Sequence, residues 1–294
     1  MLGFNSWFGP RFIWGRSWRS TTQFGAVAPT TCADAEVTSR ARVTAFSDPH
    51  IDIYTSIWWA FAGDRTHKRF TALPPVWASA RTVNLGEIGV DGFKTLASLD
   101  YLSDPCVSYS FGGNAETGFE EALLAATPCH VYQFDCTVSA QRMAAAIALI
   151  PVALQSRFHF MPYCVGPEGS VVDIAYGDTR TRAALRSVRA IVNEVGIVGG
   201  LKNSRIDILK LDVEGAELDV LPAFLQSIPP SERPSQVAIE LHSPGSAAAT
   251  VVLAPVLALL KAGYVLISQR DNLSGWFGCC TELSFVLCEV AKQA

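Results

Sequence analysis

IDILKLDVEGAELDVL, Ile206 to Leu221, decides how the rest of the chain is read. Ile206, Ile208, Leu209 and Leu211 surround a single charge, Lys210. So short an apolar run predicts a strand buried on both faces, as inside a parallel sheet. Asp212, Glu214 and Glu217 then fall within six residues, with Gly215 at the bend and Ala216, Leu218, Val220 and Leu221 beyond it. The pattern is a strand ending in acids, a tight turn and a helix, with Glu217 as a first-turn helix residue. Ligands of open α/β sheets sit beyond the carboxyl ends of strands, so these acids mark the edge where chemistry is expected.

Outward from this stretch, strands and helices alternate. Cys106–Gly113 (CVSYSFGG) reads as a strand running into paired glycines, and Thr117–Ala126 as a helix opened by a capping box between Thr117 and Glu120. His130–Asp135 is a second strand ending in an acid, and Val138–Leu154 a helix kinked or ended near Pro151. Phe158–Gly166 is a third strand, which Pro162 places at an edge or a strand end. Thr179–Val195 is expected to be helical, stopped by Gly196, with Arg182, Arg186 and Arg189 on one face, read as solvated in preference to contacting an acidic substrate. Gln236–His242 is a fifth strand and Ala247–Ala262 a helix; Tyr264–Ser268 and Glu282–Val290 close the chain as an antiparallel pair. Asn84–Lys94 reads as glycine-punctuated loop. The expected fold is therefore α/β: a Rossmann-like three-layer sandwich on a mostly parallel seven-stranded sheet with a terminal antiparallel hairpin. That is the pattern of class I S-adenosylmethionine methyltransferases.

Composition narrows the classes further. Of 294 residues, 49% are hydrophobic and 17% charged, which predicts a large core. No apolar run reaches the ~18 residues that cross a bilayer, and a net charge of −4 offers no general attraction to nucleic acid. Residues 1–80 read as an N-terminal arm and lead-in, and 81–294 as the main domain. The arm carries Arg11, Arg16 and Arg19 and no acid before Asp34, a composition shared by organelle transit peptides and disordered arms. The eight cysteines show no zinc spacing. Cys106 and Cys129 each precede a strand and could bridge, although buried free thiols are the preferred reading.

Three features converge if the first strand is central. Gly112 and Gly113 let backbone amides approach a ligand. Asp135, about 20 residues on, is placed to accept from a ribose diol or to cap a helix. The third is the rim of strands four and five, where Asp212 and Glu214 face Glu240 and His242. That rim suits a general base, with His242 the natural candidate near neutral pH. It also suits a metal held by Asp212, Glu240 and His242, or purely structural pairing. Lys210, inside an apolar strand, requires a partner, and Asp212 or Glu240 could supply it.

Asp207–Leu221 (DILKLDVEGAELDVL) resembles the strand-four signature of the FkbM-type methyltransferases. Val107–Gly113, Phe119–Leu123, Tyr132–Asp135 and Ile239–His242 resemble the eukaryotic methyltransferase-like branch with a YSFG motif, and Gly86–Lys94 is similar to the segment preceding it. The resemblance covers residues 85–290 and implies an S-adenosylmethionine-dependent O-methyltransferase acting on a small-molecule or glycan hydroxyl. It implies that Ser110, Gly112, Gly113 and Asp212 meet the methionyl end, Asp135 the ribose, and Cys164 and Val165 the adenine. Asp212, Glu214 and His242 are then the catalytic candidates. One departure stands out: Ser110 occupies the position, two before the first glycine, where most such enzymes carry an acid. Recognition of the methionyl amine would then fall to Ser110 with Glu116 or Asp212. A catalytically inactive binding relative and a Rossmann-type oxidoreductase are the competing readings, the latter without a G-x-G-x-x-G fingerprint.

Overall fold

Ile208–Leu211 is the middle strand of a seven-stranded sheet, with Ile208, Leu209 and Leu211 fully buried. The structure, a computed structural model, describes residues 34, 35, 37, 38, 81–87, 93–176, 179–198, 206–242, 253–272 and 280–291. The expected N-terminal arm falls almost wholly outside them, as do Ala247–Val252 of the expected fifth-strand helix.

The described chain opens with an antiparallel hairpin, β1 (Thr82–Leu85) and β2 (Lys94–Ala97). Then come β3 (Val107–Phe111), α1 (Gly118–Ala126), β4 (His130–Phe134), α2 (Ala140–Ile147), α3 (Val152–Gln155) and β5 (Phe158–Met161). A small unit follows, β6 (Cys164–Val165), β7 (Val171–Tyr176) and β8 (Thr179–Arg186), and leads into α4 (Val188–Val198). The second half runs β9 (Ile208–Leu211), α5 (Glu217–Ser227), β10 (Gln236–His242), α6 (Ala254–Lys261), β11 (Tyr264–Asn272), β12 (Cys280–Leu287) and α7 (Cys288–Ala291).

The sheet order is β11-β12-β10-β9-β3-β4-β5, with β12 antiparallel to both neighbours and β10, β9, β3, β4 and β5 successively parallel. This is the expected class I methyltransferase sheet. The chain lays β4 and β5 on one side of β3 and then places β9 and β10 on the other. The carboxyl ends of β3 and β9 thus flank the topological switch point, where ligands of such sheets bind. Helices cover both faces. Leu209 and Leu211 pack with Ile191, Leu221 and Leu259 on one side, and Ile208 packs with Phe119, Leu123 and Met143 on the other.

Several expectations need correction. Thr179–Arg186 is a strand, paired antiparallel with β7, because Thr179, Thr181, Ala183 and Leu185 alternate with Arg180, Arg182 and Arg186. Helical spacing begins only at Val188, and Gly196 lies inside α4 instead of ending it. The helix expected over Val138–Leu154 does break near Pro151, as expected, into Ala140–Ile147 and Val152–Gln155. Asn84, Leu85 and Lys94 belong to strands, not loop. Thr117 makes no side-chain cap bond, so the capping box does not form; Glu120 turns inward instead. The hairpin is tied to the sheet by Gln236, whose Oε1 accepts from the Ala97 amide at 2.7 Å.

Cys106 and Cys129 are bridged, not free thiols. They stand one residue before Val107 and His130, which are partners in register, so strand pairing alone brings the sulfurs together. A second bridge joins Cys136 and Cys164, beyond the ends of β4 and β5. The Cys106–Cys129 bridge spans 23 residues of chain, for which loop closure predicts about 3 kcal/mol. Replacing both with Ser is expected to lower unfolding free energy by about 2–4 kcal/mol in urea titrations under non-reducing conditions. No change in the midpoint would contradict it.

Candidate functional site

Gly112 is where β3 meets the carboxyl end of β9. Its φ is +71°, and a Cβ there would lie 1.6 Å from the Asp212 carbonyl oxygen, so no other residue fits. The Gly112 amide donates to the Phe134 carbonyl at 2.9 Å, and its own carbonyl accepts from Lys210 Nζ at 2.6 Å. A Cβ on Gly113 would run into the Gln133 side chain. Asp135 fixes the turn from the next strand. One of its carboxylate oxygens accepts from the Gly113 and Asn114 amides at 3.2 and 2.9 Å, the other from the Thr137 amide and hydroxyl at 2.8 and 2.6 Å. All four lone-pair positions of a carboxylate are thereby engaged.

The rim of β9 and β10 is a charge cluster. Lys94 arrives from β2 with its ammonium buried among Glu282, Asp212 and Glu240, the last two at 3.5 Å. Burial would lower its pKa, but Glu282, Asp212 and Glu240 outweigh burial and raise it. Lys210, expected to pair with Asp212 or Glu240, lies 3.7 Å from Asp212 and donates to Gly112; the partner of Glu240 is Lys94. Burial works to raise the Asp212 carboxyl, yet Lys210, Lys94 and His242 hold it below the ordinary range.

His242 is held by Glu217. That carboxylate is fully buried and accepts from the His242 amide at 2.7 Å, with His242 Nδ1 at 3.1 Å, while its other oxygen accepts from the Gly215 amide at 2.9 Å. Glu217 is thus far more than a first-turn residue. Nε2 of the imidazole points at Glu214, 3.5 Å away, and Asp212, 4.0 Å away. Burial alone would lower the His242 pKa, but the Glu217 bond and the carboxylates of Glu217, Asp212 and Glu240 push it up to about 9. At neutral pH the ring is therefore an imidazolium and donates hydrogen bonds. Glu214 sits in the left-handed region with φ +55° and is mostly exposed.

Three cations, Lys94, Lys210 and His242, thus face five carboxylates, Asp212, Glu214, Glu217, Glu240 and Glu282. The cation that Asp212 and Glu240 share is the Lys94 ammonium, which takes the place a metal would need. Glu240, His242 and Cys280 also converge, but Cys280 is disulfide-bonded and offers no thiolate.

A cavity of about 520 Å³ opens between these parts, within the usual range for small-molecule sites. Gly112, Gly113, Glu116, Glu120, Lys210, Asp212 and Glu214 line one end. Asp135, Cys136 and Thr137 stand at its middle, and Phe134, Tyr163, Val165 and Leu185 supply an apolar wall with Cys164. Val172, Asp173 and Ile174 of β7 cover it. Of the expected residues, Gly112, Gly113, Asp135, Cys164, Val165, Asp212 and Glu214 gather at the cavity. Ser110, fully buried, does not line it; its hydroxyl donates to Glu120, which does. His242 and Glu240 also stand behind the lining, next to Asp212. Lys94, Glu120, Glu217 and Glu282 were not singled out as site residues from sequence, although an acid or lysine facing an apolar side of its element is the signal each one gives.

Residues 176–266 match the family model for the methyltransferase FkbM domain. No curated protein sequence matches the chain. Among solved structures, the methyltransferase FkbM from Methylobacillus flagellatus KT is 14% identical, with 63% of this chain and 45% of that chain covered and a TM-score of 0.43. This chain thus spans less than half the length of that protein. The fibrillarin from Aeropyrum pernix, crystallised with natively bound S-adenosyl-L-methionine, is 10% identical over 65% of this chain and 70% of that one, TM-score 0.38. The glycopeptide N-methyltransferase MtfA, complexed with the same compound, is 9% identical over 64% and 83%, TM-score 0.31.

The raised His242 pKa sets a pH window. A histidine whose pKa rises from 6.5 to about 9 on folding contributes stability that is fully present below about 6.5 and lost as pH rises through about 9. The melting temperature of the protein should therefore fall between pH 7 and 10 relative to that of His242→Gln. Parallel curves for the two proteins would refute the assignment.

Proposed function

We propose that a chain bearing an FkbM-type methyltransferase domain over residues 176–266 transfers a methyl group from S-adenosylmethionine to a hydroxyl of a small molecule or glycan. The observation that carries this reading is the bare backbone at Gly112. A side chain there would strike the Asp212 carbonyl, so only glycine lets β3 turn tightly against the end of β9, and the cavity opens at that switch point. The cofactor fits what surrounds that turn: an acid-rich end for a sulfonium and amine, and an apolar wall at Tyr163, Val165 and Leu185 for an adenine. When bound, it supplies an activated methyl group for in-line displacement at carbon, where alignment contributes up to ~7–11 kcal/mol.

The chain's own residues divide the work. Gly112 and Gly113 admit the methionyl end beside Asp212. Asp135 stands at the ribose end, where its carboxylate fixes the loop against which the sugar lies. Cys164 and Val165 border the adenine. Glu214, the acid of the rim that reaches solvent, accepts the proton of the acceptor hydroxyl. His242 holds Glu214 in place and Glu217 holds His242. His242 itself takes a proton only above about pH 9, where it becomes neutral.

One observation favours a second reading. His242 is charged at neutral pH and Asp212 is engaged by two lysines, so a protein that binds the cofactor without turning it over would present the same rim. A screen of hydroxyl acceptors with labelled methyl donor decides between them, since label transferred to none, with the cofactor still bound, supports the second.

Two variants test the assignment of parts. Asp135→Ala frees the turn amides and should weaken S-adenosylmethionine binding about 10-fold or more in calorimetry, the size of one or two charge-assisted hydrogen bonds. Unchanged affinity would remove Asp135 from the site. Glu214→Gln should reduce kcat about 10²-fold or more while the cofactor Kd moves less than about twofold. Equal losses in both would make Glu214 a binding residue instead.

A further inference from the structure

Glu120 is a buried acid with no counter-ion among the described residues. It is 1% exposed, yet it lines the cavity beside Gly113, Glu116 and Gly118. Its one hydrogen-bond partner among the described residues is the Ser110 hydroxyl, a neutral donor, and no cation of those residues pairs with it. Among the other buried acids described, Glu240 and Glu282 meet Lys94, Glu217 meets His242, and Asp135 accepts four hydrogen bonds. Ionised groups are kept in low-dielectric surroundings only when paired or multiply hydrogen-bonded. A carboxylate that faces a cavity, held by a single hydroxyl, is complementary to a cation brought by the ligand.

Ser110 explains why the acid comes from the helix. On β3 it points away from Tyr109 and Phe111, toward α1, and its side chain is too short to reach the cavity. The helix begins at Gly118 without using Glu120 in a cap, which leaves that carboxylate to turn in over Ser110. The acid that related sheets place on the strand is here relocated ten residues along the chain, with the serine serving as its anchor.

Resting on the proposed cofactor reading, we infer that Glu120 receives the α-ammonium of the methionyl group and that Ser110 is its positioning residue. Glu120 then takes part in no bond making. It selects a ligand carrying an amine over one lacking it, at the end of the cavity opposite the apolar wall.

The test is calorimetry on the full chain with S-adenosylhomocysteine and its desamino analogue. The wild type should bind the amine-bearing compound about 10–100-fold more tightly, as expected for a charged hydrogen bond in a buried setting. In Glu120→Gln, which preserves an acceptor for Ser110, that preference should fall to within about threefold, with affinity for the desamino analogue unchanged. Ser110→Ala should lose part of the preference. Ser110→Asp combined with Glu120→Ser, which returns the acid to the strand, should restore it, and gives a second route if Glu120→Gln folds poorly. A preference that survives in Glu120→Gln, or an equal loss for both ligands, overturns the assignment of Glu120 alone. Failure of the wild type to bind either compound overturns the cofactor reading and this inference together.

Discussion

The ammonium of Lys94 can lie buried only because three carboxylates from three strands close on it. Asp212 ends β9, Glu240 lies on β10 and Glu282 on β12, and Lys94 itself comes from a hairpin outside the main sheet. An unpaired charge at this depth would be prohibitive, as would three carboxylates without it. One contact therefore fixes the hairpin, the antiparallel strand and the central strand relative to one another. It also sets the charge of Asp212, which faces both the cavity and His242. Fold and site meet in a single electrostatic requirement.

The same requirement runs through the rim as a chain of orientations. Glu217 closes the turn through Gly215 and turns His242 outward; His242 meets Glu214, which reaches solvent. Lys210 links Asp212 to the Gly112 carbonyl, so the glycine turn and the acid end share one cation. Each side chain of the rim is thus held by another whose own place is set by the sheet. Glu120 stands apart from this pattern, which is what makes it informative.

The sheet was legible in the sequence because its signals are local. Ile208, Leu209 and Leu211 announce a strand buried on both faces, and the lack of a helix pattern in the sequence between Ser268 and Glu282 announces an antiparallel pair. Asp212, Glu214, Gly112 and Asp135 were legible for the same reason, each ending a strand at a turn. What was not legible depends on distance along the chain. Lys94 is 118 residues from Asp212 and 188 from Glu282. Glu217 looks like any first-turn acid until His242, 25 residues later, folds against it. The Thr179–Arg186 strand was masked by an apolar spacing belonging to the helix after it. Glu120 was misread because a capping box and an inward-turning acid have the same sequence, and only the burial of Ser110 separates them. The charge of His242 at neutral pH was likewise invisible until its three carboxylate neighbours, Glu217, Asp212 and Glu240, were placed.

The bridge between Cys136 and Cys164 has a mechanical consequence. It spans the loops at the ends of β4 and β5, the two strands that border the middle of the cavity and its apolar wall. Those loops cannot part, so this side of the cavity behaves as a rigid jamb. On its other side the cavity is lined by Val172, Asp173 and Ile174 of β7, a strand whose Val171 and Val172 present apolar surface to solvent. One side of the cavity is therefore fixed covalently, whereas the β7 side is held to β8 by strand pairing.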